Sequence, residues 1–249
     1  MADSRFVVLA SYPKTGSTWL GKIIGNLVAE HVPSGQVLPA FSKALPESER
    51  FTVRGISYQF VKTHFHPENA RFQPLEGKYD SCVSIYRHPL DVLLSSLNYA
   101  KLKEHSASFI AGRVKAVEQL IADGEMRYYI DQFIEADGFP WFEGPSGKFS
   151  LYQRRWRAQA PRIRYLEIRY EDFVSDPHRT VADVNAFLNT GADAATVDKV
   201  VKRTDAETRG DGKFFWSRRA QNFDRLLPRE LSDYFCDHYR QTLDELGYR

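Results

Sequence analysis

The feature that most constrains this chain stands near its beginning, where Phe6-Val7-Val8-Leu9-Ala10-Ser11 leads directly into Tyr12-Pro13-Lys14-Thr15-Gly16-Ser17-Thr18-Trp19. An unbroken apolar and β-branched run, without polar alternation, is the pattern of a strand buried on both faces of a parallel sheet. From Ser17 onward, Leu20, Ile23, Ile24, Leu27 and Val28 recur at helical spacing, so a strand, a loop and a helix follow in immediate succession. A loop in that setting gathers unpaired backbone N–H groups and the positive end of a helix at one spot, which favours an anion. Gly16 allows close backbone approach, the hydroxyls of Thr15, Ser17 and Thr18 add donors, and Lys14 adds a mobile charge. The order of residues is not that of the triphosphate loop GxxxxGKS or GxxxxGKT, because Lys14 precedes Gly16. A nucleotide kinase is thereby disfavoured.

Further strands are expected at Tyr58 to Thr63, Ser81 to Tyr86 and Ile163 to Ile168, alternating with helical patterns. That alternation predicts one α/β domain over residues 1–249, with a central parallel sheet flanked by helices. A helix should begin at His88-Pro89-Leu90-Asp91, with Pro89 in the first helical position, Asp91 complementing the dipole, and Leu90, Leu93, Leu94 and Leu97 forming its buried stripe. Another helical segment lies near Asp198 to Lys202. Gly138 to Gly147, carrying Pro140, Trp141, Phe142 and Pro145, reads as an aromatic-bearing loop, and Pro228 to Leu246 reads as a closing helix.

Lys and Arg total 34 against 32 Asp and Glu, a net charge of +2 that gives no long-range field for nucleic acid. Any anionic ligand must therefore be held by local groups, and no nucleic-acid partner is expected. The apolar stretch Phe6 to Ala10 is too short for a membrane span or a signal segment, so a cytoplasmic location without membrane attachment is expected. Cys82, in a strand-like run, and Cys236, in a helical one, suit reduced packed thiols better than a disulfide framework. Oligomeric state, a homodimer included, is left open.

At the loop the chain resembles the sulfotransferases that use 3'-phosphoadenosine 5'-phosphosulfate (PAPS), whose signature YPKSGTTW differs from YPKTGSTW only by exchanges that retain a hydroxyl. The run from Tyr86 to Ser95 is similar to that family's 3'-phosphate motif RxPxDxxxS and matches every specified position. The resemblance implies that Arg87 makes charge-assisted bonds to the 3'-phosphate and that Ser95 donates a hydroxyl to it. A donor phosphorylated at both ends would then be selected over ordinary nucleotides. Ile168-Arg169-Tyr170-Glu171-Asp172-Phe173 resembles the LxYEDL element, which implies Tyr170 bordering the adenine with Trp19 stacking on it. Thr204 stands where the family carries an adenine-contacting Thr. The family's RKGxxGDW loop is not matched. Its nearest counterpart, Phe215 to Phe223, lacks the glycines, and Arg218 and Arg219 are the phosphate candidates there. Tyr152, in a segment similar to GxWxxH, stands where His is common.

Phe60 to Pro67 resembles the family's KTHLP segment, which makes Lys62 and His64 the catalytic candidates beside Lys14. Alternate residues of a strand face one side, so Lys62 and His64 can meet one ligand atom. His64 would take the acceptor's hydroxyl proton, Lys62 would offset charge on the sulfuryl oxygens, and Lys14 would stabilise the departing bridge oxygen. The reaction implied is sulfuryl transfer from PAPS to a hydroxyl or phenol of a small molecule, releasing 3',5'-diphosphoadenosine (PAP). A non-catalytic nucleotide-binding module would give no reason for that pair. His66 completes an HxH pattern, but no third ligand lies at suitable spacing, and no metal is expected. Phe41 to Tyr58 and the rings of Phe139 to Phe142 are the candidate acceptor-facing segments.

Overall fold

The computed structural model describes residues 3–41, 49–102, 114–139, 146–209 and 217–248. Five strands, β1 Ser4–Ser11, β2 Phe51–Val53, β3 Ile56–Thr63, β4 Ser81–Tyr86 and β5 Arg164–Arg169, form one sheet in the order β2-β3-β1-β4-β5. The pairs β1 with β3, β1 with β4, and β4 with β5 are parallel. The expected parallel sheet is thus present, and it gains one antiparallel edge strand that the sequence reading lacked. β2 turns into β3 through Arg54 and Gly55, at φ 50° and 77°. This is a two-residue hairpin of the kind usually marked by Asn-Gly, and Arg54 hides the signal.

Between β1 and β2 lie α1 Ser17–Val28 and α2 Ser34–Val37. After β4 come α3 Pro89–Leu102, α4 Val117–Ala122, α5 Met126–Ala136 and α6 Phe149–Arg157. After β5 come α7 Tyr170–Ser175, α8 Pro177–Leu188, α9 Ala194–Arg209, α10 Asn222–Leu226, α11 Arg229–His238 and α12 Arg240–Glu245. The closing segment is therefore two helices rather than one. The chain leaves helical geometry at Tyr239 (φ −92°, ψ 17°), whose buried hydroxyl donates to the Phe133 carbonyl at 3.3 Å and to Asp137 Oδ1 at 3.1 Å. Apolar spacing continues across the joint, so periodicity alone does not show it.

β1 is the centre of the sheet, and its residues from Val7 to Ala10 have no exposed surface. Val7 and Leu9 pack with Leu20, Ile23 and Ile24 of α1, and with apolar residues of α8 and α9. Val8 and Ala10 point to the other face, toward Leu90, Leu93, Leu94 and Leu97 of α3, Phe133 of α5, Trp156 of α6 and Phe235 of α11. Two layers of helices thus explain why the run has no polar alternation. From β1 the chain moves to one neighbour, β3, and then to the other, β4. The carboxyl end of β1 is consequently a topological switch point, where an open α/β sheet leaves a crevice for a ligand. Cys82 is buried and Cys236 half-buried, and neither takes part in a disulfide.

Leu20 has no exposed surface where α1 meets β1. Leu20→Ala is expected to lower the unfolding free energy by about 2–5 kcal/mol, whereas Tyr128→Ala, at a position 56% exposed, should change it by less than about 0.5 kcal/mol. Urea unfolding of the two variants reads the difference.

Candidate active site

The loop after β1 is built from strained backbone and an anchored ring. Lys14 adopts φ 71° and Gly16 φ 106°, and Gly16 caps α1 with no side chain accepting from its first N–H groups. Those groups are thereby left for an anion. A Cβ on Gly16 would lie 2.7 Å from Cδ2 of Tyr170, so both backbone conformation and space require glycine. Tyr12 turns inward: its ring packs edge-on to Phe149 and Tyr152 at 5.0 and 5.5 Å, and its oxygen accepts from the Phe139 N–H at 3.2 Å. Tyr152 is therefore a wall of the core beneath the loop. Thr15 is also directed inward, its hydroxyl donating to the Tyr12 carbonyl at 2.8 Å. It braces the loop, while Ser17 and Thr18 occupy the first turn of α1.

At the carboxyl end of β3, burial alternates as strand geometry requires, with Val61, Thr63 and Phe65 buried and Lys62 and His64 half-buried. Nδ1 of His64 lies 2.8 Å from the Ser11 carbonyl and 3.1 Å from its hydroxyl. A carbonyl can only accept, so Nδ1 carries the proton and Nε2 the lone pair. Burial, together with the nearby charges of Lys62 and Lys14, holds His64 down at about 4, against an ordinary 6.5. Burial likewise lowers the Lys62 ammonium. Because both lysines act on His64, the three expected catalytic groups share one neighbourhood. Nζ of Lys14 sits 4.1 Å above the ring of Tyr99, which stands one helical turn after Ser95 on α3. Sequence reasoning missed Tyr99 and Ser11, although the i, i+4 spacing from Ser95 was a usable signal for the first.

Arg87 follows β4 directly and is only 6% exposed. It pairs with Asp91 at 3.0 Å, donates to the Arg219 carbonyl at 3.1 Å, and lays its guanidinium 4.1 Å over the Tyr170 ring. Its Nε is buried with no hydrogen-bond partner among the described residues. Such an orphan donor is costly and fits a site made for an anion. Asp91 also accepts from the Phe223 N–H at 3.1 Å, and Glu171 accepts from the His88 N–H at 3.0 Å and from the Tyr248 hydroxyl at 2.7 Å. These carboxylates, beyond the dipole role read from the sequence, fasten the junction on which Arg87 sits. Ser95 is half-buried on α3, and it is the adjacent Ser96 that bonds back, donating to the Val92 carbonyl at 2.8 Å.

The remaining expected ligands are braced within the protein. Trp19 packs on Phe173 at 4.2 Å and carries the Arg218 guanidinium 4.8 Å over its ring. Arg218 also pairs with Asp205 of α9. The Thr204 hydroxyl accepts from Asn26 at 3.1 Å and ties α9 to α1. Arg219 is exposed and reaches Arg87 through its carbonyl rather than its side chain. His66 accepts from Arg155 at 3.0 Å, Arg155 pairs with Glu68 at 2.7 Å, and no group of metal-holding side chains occurs among the described residues. Phe41 and Phe139 are buried core residues. Residues 42–48, 140–145 and 210–216, which include most of the aromatic loop and the start of the Phe215 to Phe223 segment, lie outside the described residues.

Gly16→Ala should destabilise the fold by at least about 1 kcal/mol in urea unfolding, because its φ and the Tyr170 contact both resist a Cβ.

The solved structures share this architecture. Mouse sulfotransferase SULT7A1 complexed with PAP superposes with a TM-score of 0.66 at 15% identity, covering 98% of this chain and 85% of that one. Retinol dehydratase in a complex with retinol and PAP gives 0.66 at 14% identity, covering 96% and 81%. In sequence, sulfotransferase 1E1 of Rattus norvegicus is 24% identical over 210 residues, covering 80% of this chain and 63% of that protein. Flavonol 3-sulfotransferase of Flaveria bidentis is 23% identical over 225 residues, covering 81% and 64%. The chain thus matches less than two thirds of the length of each of these two relatives. The sulfotransferase domain family matches residues 4–222, and on that extent the chain belongs to the sulfotransferase family.

Proposed function

We propose that this protein transfers the sulfuryl group of PAPS to a hydroxyl or phenol of a small molecule and releases PAP. The observation that carries the reading is the pairing of two anion stations at the carboxyl ends of adjacent strands. One is the α1 N-terminus with Lys14, Lys62 and His64 around it, and the other is buried Arg87 with its unpartnered Nε. A nucleotide bearing charge at its 5' and 3' ends answers both, and two solved relatives are described with PAP.

The reaction follows from the groups in place. The acceptor oxygen attacks sulfur as Nε2 of His64 takes its proton, and the bond from sulfur to the 5'-phosphate oxygen breaks. The electron pair stays on that phosphate oxygen, at the α1 N-terminus beside Lys14. Lys62 offsets charge on the sulfuryl oxygens. Transfer of this kind passes through a loose in-line transition state, so positioning and fixed charge lower the barrier without a covalent intermediate. Because burial and the two lysines keep His64 neutral, it is in its basic form throughout the physiological range. Arrival of the donor's negatively charged phosphosulfate relieves the crowding of positive charge. We place the reaction in the cytoplasm, which suits two cysteines outside any disulfide, and among the described residues no helix is long and apolar enough to cross a membrane.

Transfer of labelled sulfate from PAPS to a panel of phenols, steroids and flavonoids tests the activity. His64→Ala should lower turnover by about 100-fold or more; near-normal turnover would remove the base assignment. For the wild-type enzyme, the acid limb of kcat/KM, which reports the free enzyme, is expected near 4 rather than at 6.5. The sign follows from the depressed value: the base is lost only when His64 is protonated, as pH falls through about 4.

A further inference from the structure

We propose that Tyr170 is a rigid spacer between the two anion stations, and that its ring rather than its hydroxyl sets the preference for a nucleotide phosphorylated at both ends. The inference rests on the donor reading above. Tyr170 opens α7 at the carboxyl end of β5 and is 5% exposed. One edge of its ring abuts Gly16, the residue that shapes the 5' station, so closely that a Cβ there would lie 2.7 Å away. One face carries the guanidinium of Arg87, the residue of the 3' station, at 4.1 Å. Trp19 meets the ring edge-on at 6.2 Å, and Phe173 backs Trp19 at 4.2 Å. A single aromatic ring, held from behind, thus touches both stations.

Rings are stiff, whereas arginine carries many rotamers. The stacked face limits where the guanidinium plane can lie, the Asp91 pair fixes Nη2, and the buried Nε keeps an unused N–H. The separation between the loop backbone and that donor is then set by the width of the ring and by the Gly16 contact. A role as a nucleobase contact, which the sequence resemblance implied, makes a different prediction: it would help every adenine nucleotide equally.

Calorimetric titration with PAP and with 5'-AMP separates these roles, since the two ligands share the base and differ at the 3' position. The wild-type protein should bind PAP at least about 10-fold more tightly than 5'-AMP. Tyr170→Phe should keep that ratio. Tyr170→Leu should bring it to within about threefold of unity, chiefly through weaker PAP binding. Tyr170→Met, whose unbranched side chain adapts to an irregular gap without offering a ring face, carries the same expectation should the leucine variant fail to fold. Equal weakening of both ligands in Tyr170→Leu, or an unchanged ratio, would overturn the spacer role. Wild-type protein that binds neither ligand would overturn the donor reading itself, and the spacer with it.

Discussion

Burial of β1 on both faces is the constraint on which the rest of the structure depends. Val7 and Leu9 hold one layer of helices, Val8 and Ala10 hold the other, and none of the four has exposed surface. A strand gripped in this way delivers the loop from Tyr12 to Gly16 to a fixed place and direction. The same strand pairs with β3 and β4, so the ends of three parallel strands converge there. The Ser11 carbonyl, the last of β1, then fixes the tautomer of His64 at the end of β3. Fold and chemistry are joined at that one hydrogen bond.

The electrostatics of the crevice follow from the same convergence. Burial lowers Lys62, and burial together with the charges of Lys62 and Lys14 lowers His64. At the neighbouring strand end Arg87 is buried with only part of its hydrogen-bonding capacity used. Stability alone would not select such an arrangement, because like charges and an orphan donor both cost free energy. An anionic ligand that reaches both places offsets these costs, which is the physical sense in which the site is preorganised.

Much of this was legible in the residues, for identifiable reasons. Buried parallel strands appear as continuous apolar runs, so β1, β3 and β4 were marked, and Pro89 marked the start of α3. The common direction of Lys62 and His64 follows from strand alternation. Other parts were hidden because residue type does not encode where a side chain turns. Thr15 and Thr204 look like ligand hydroxyls, yet one closes its own loop and the other ties α1 to α9. Arg218 looks like a phosphate partner and is engaged by Asp205 and Trp19. Tyr99 stands one helical turn after Ser95 and could have been read from that spacing, whereas Phe223 comes to the site only through tertiary packing, across a separation that no local pattern spans. The break at Tyr239 is likewise set by a ring seated among residues distant in sequence.

The most direct measurement is a calorimetric comparison of PAP with magnesium ATP on the wild-type protein. Two stations spaced for a 5' and a 3' group predict that PAP binds with one site per chain and at least about 100-fold more tightly than magnesium ATP. Tight binding of magnesium ATP with no detectable binding of PAP would contradict the account.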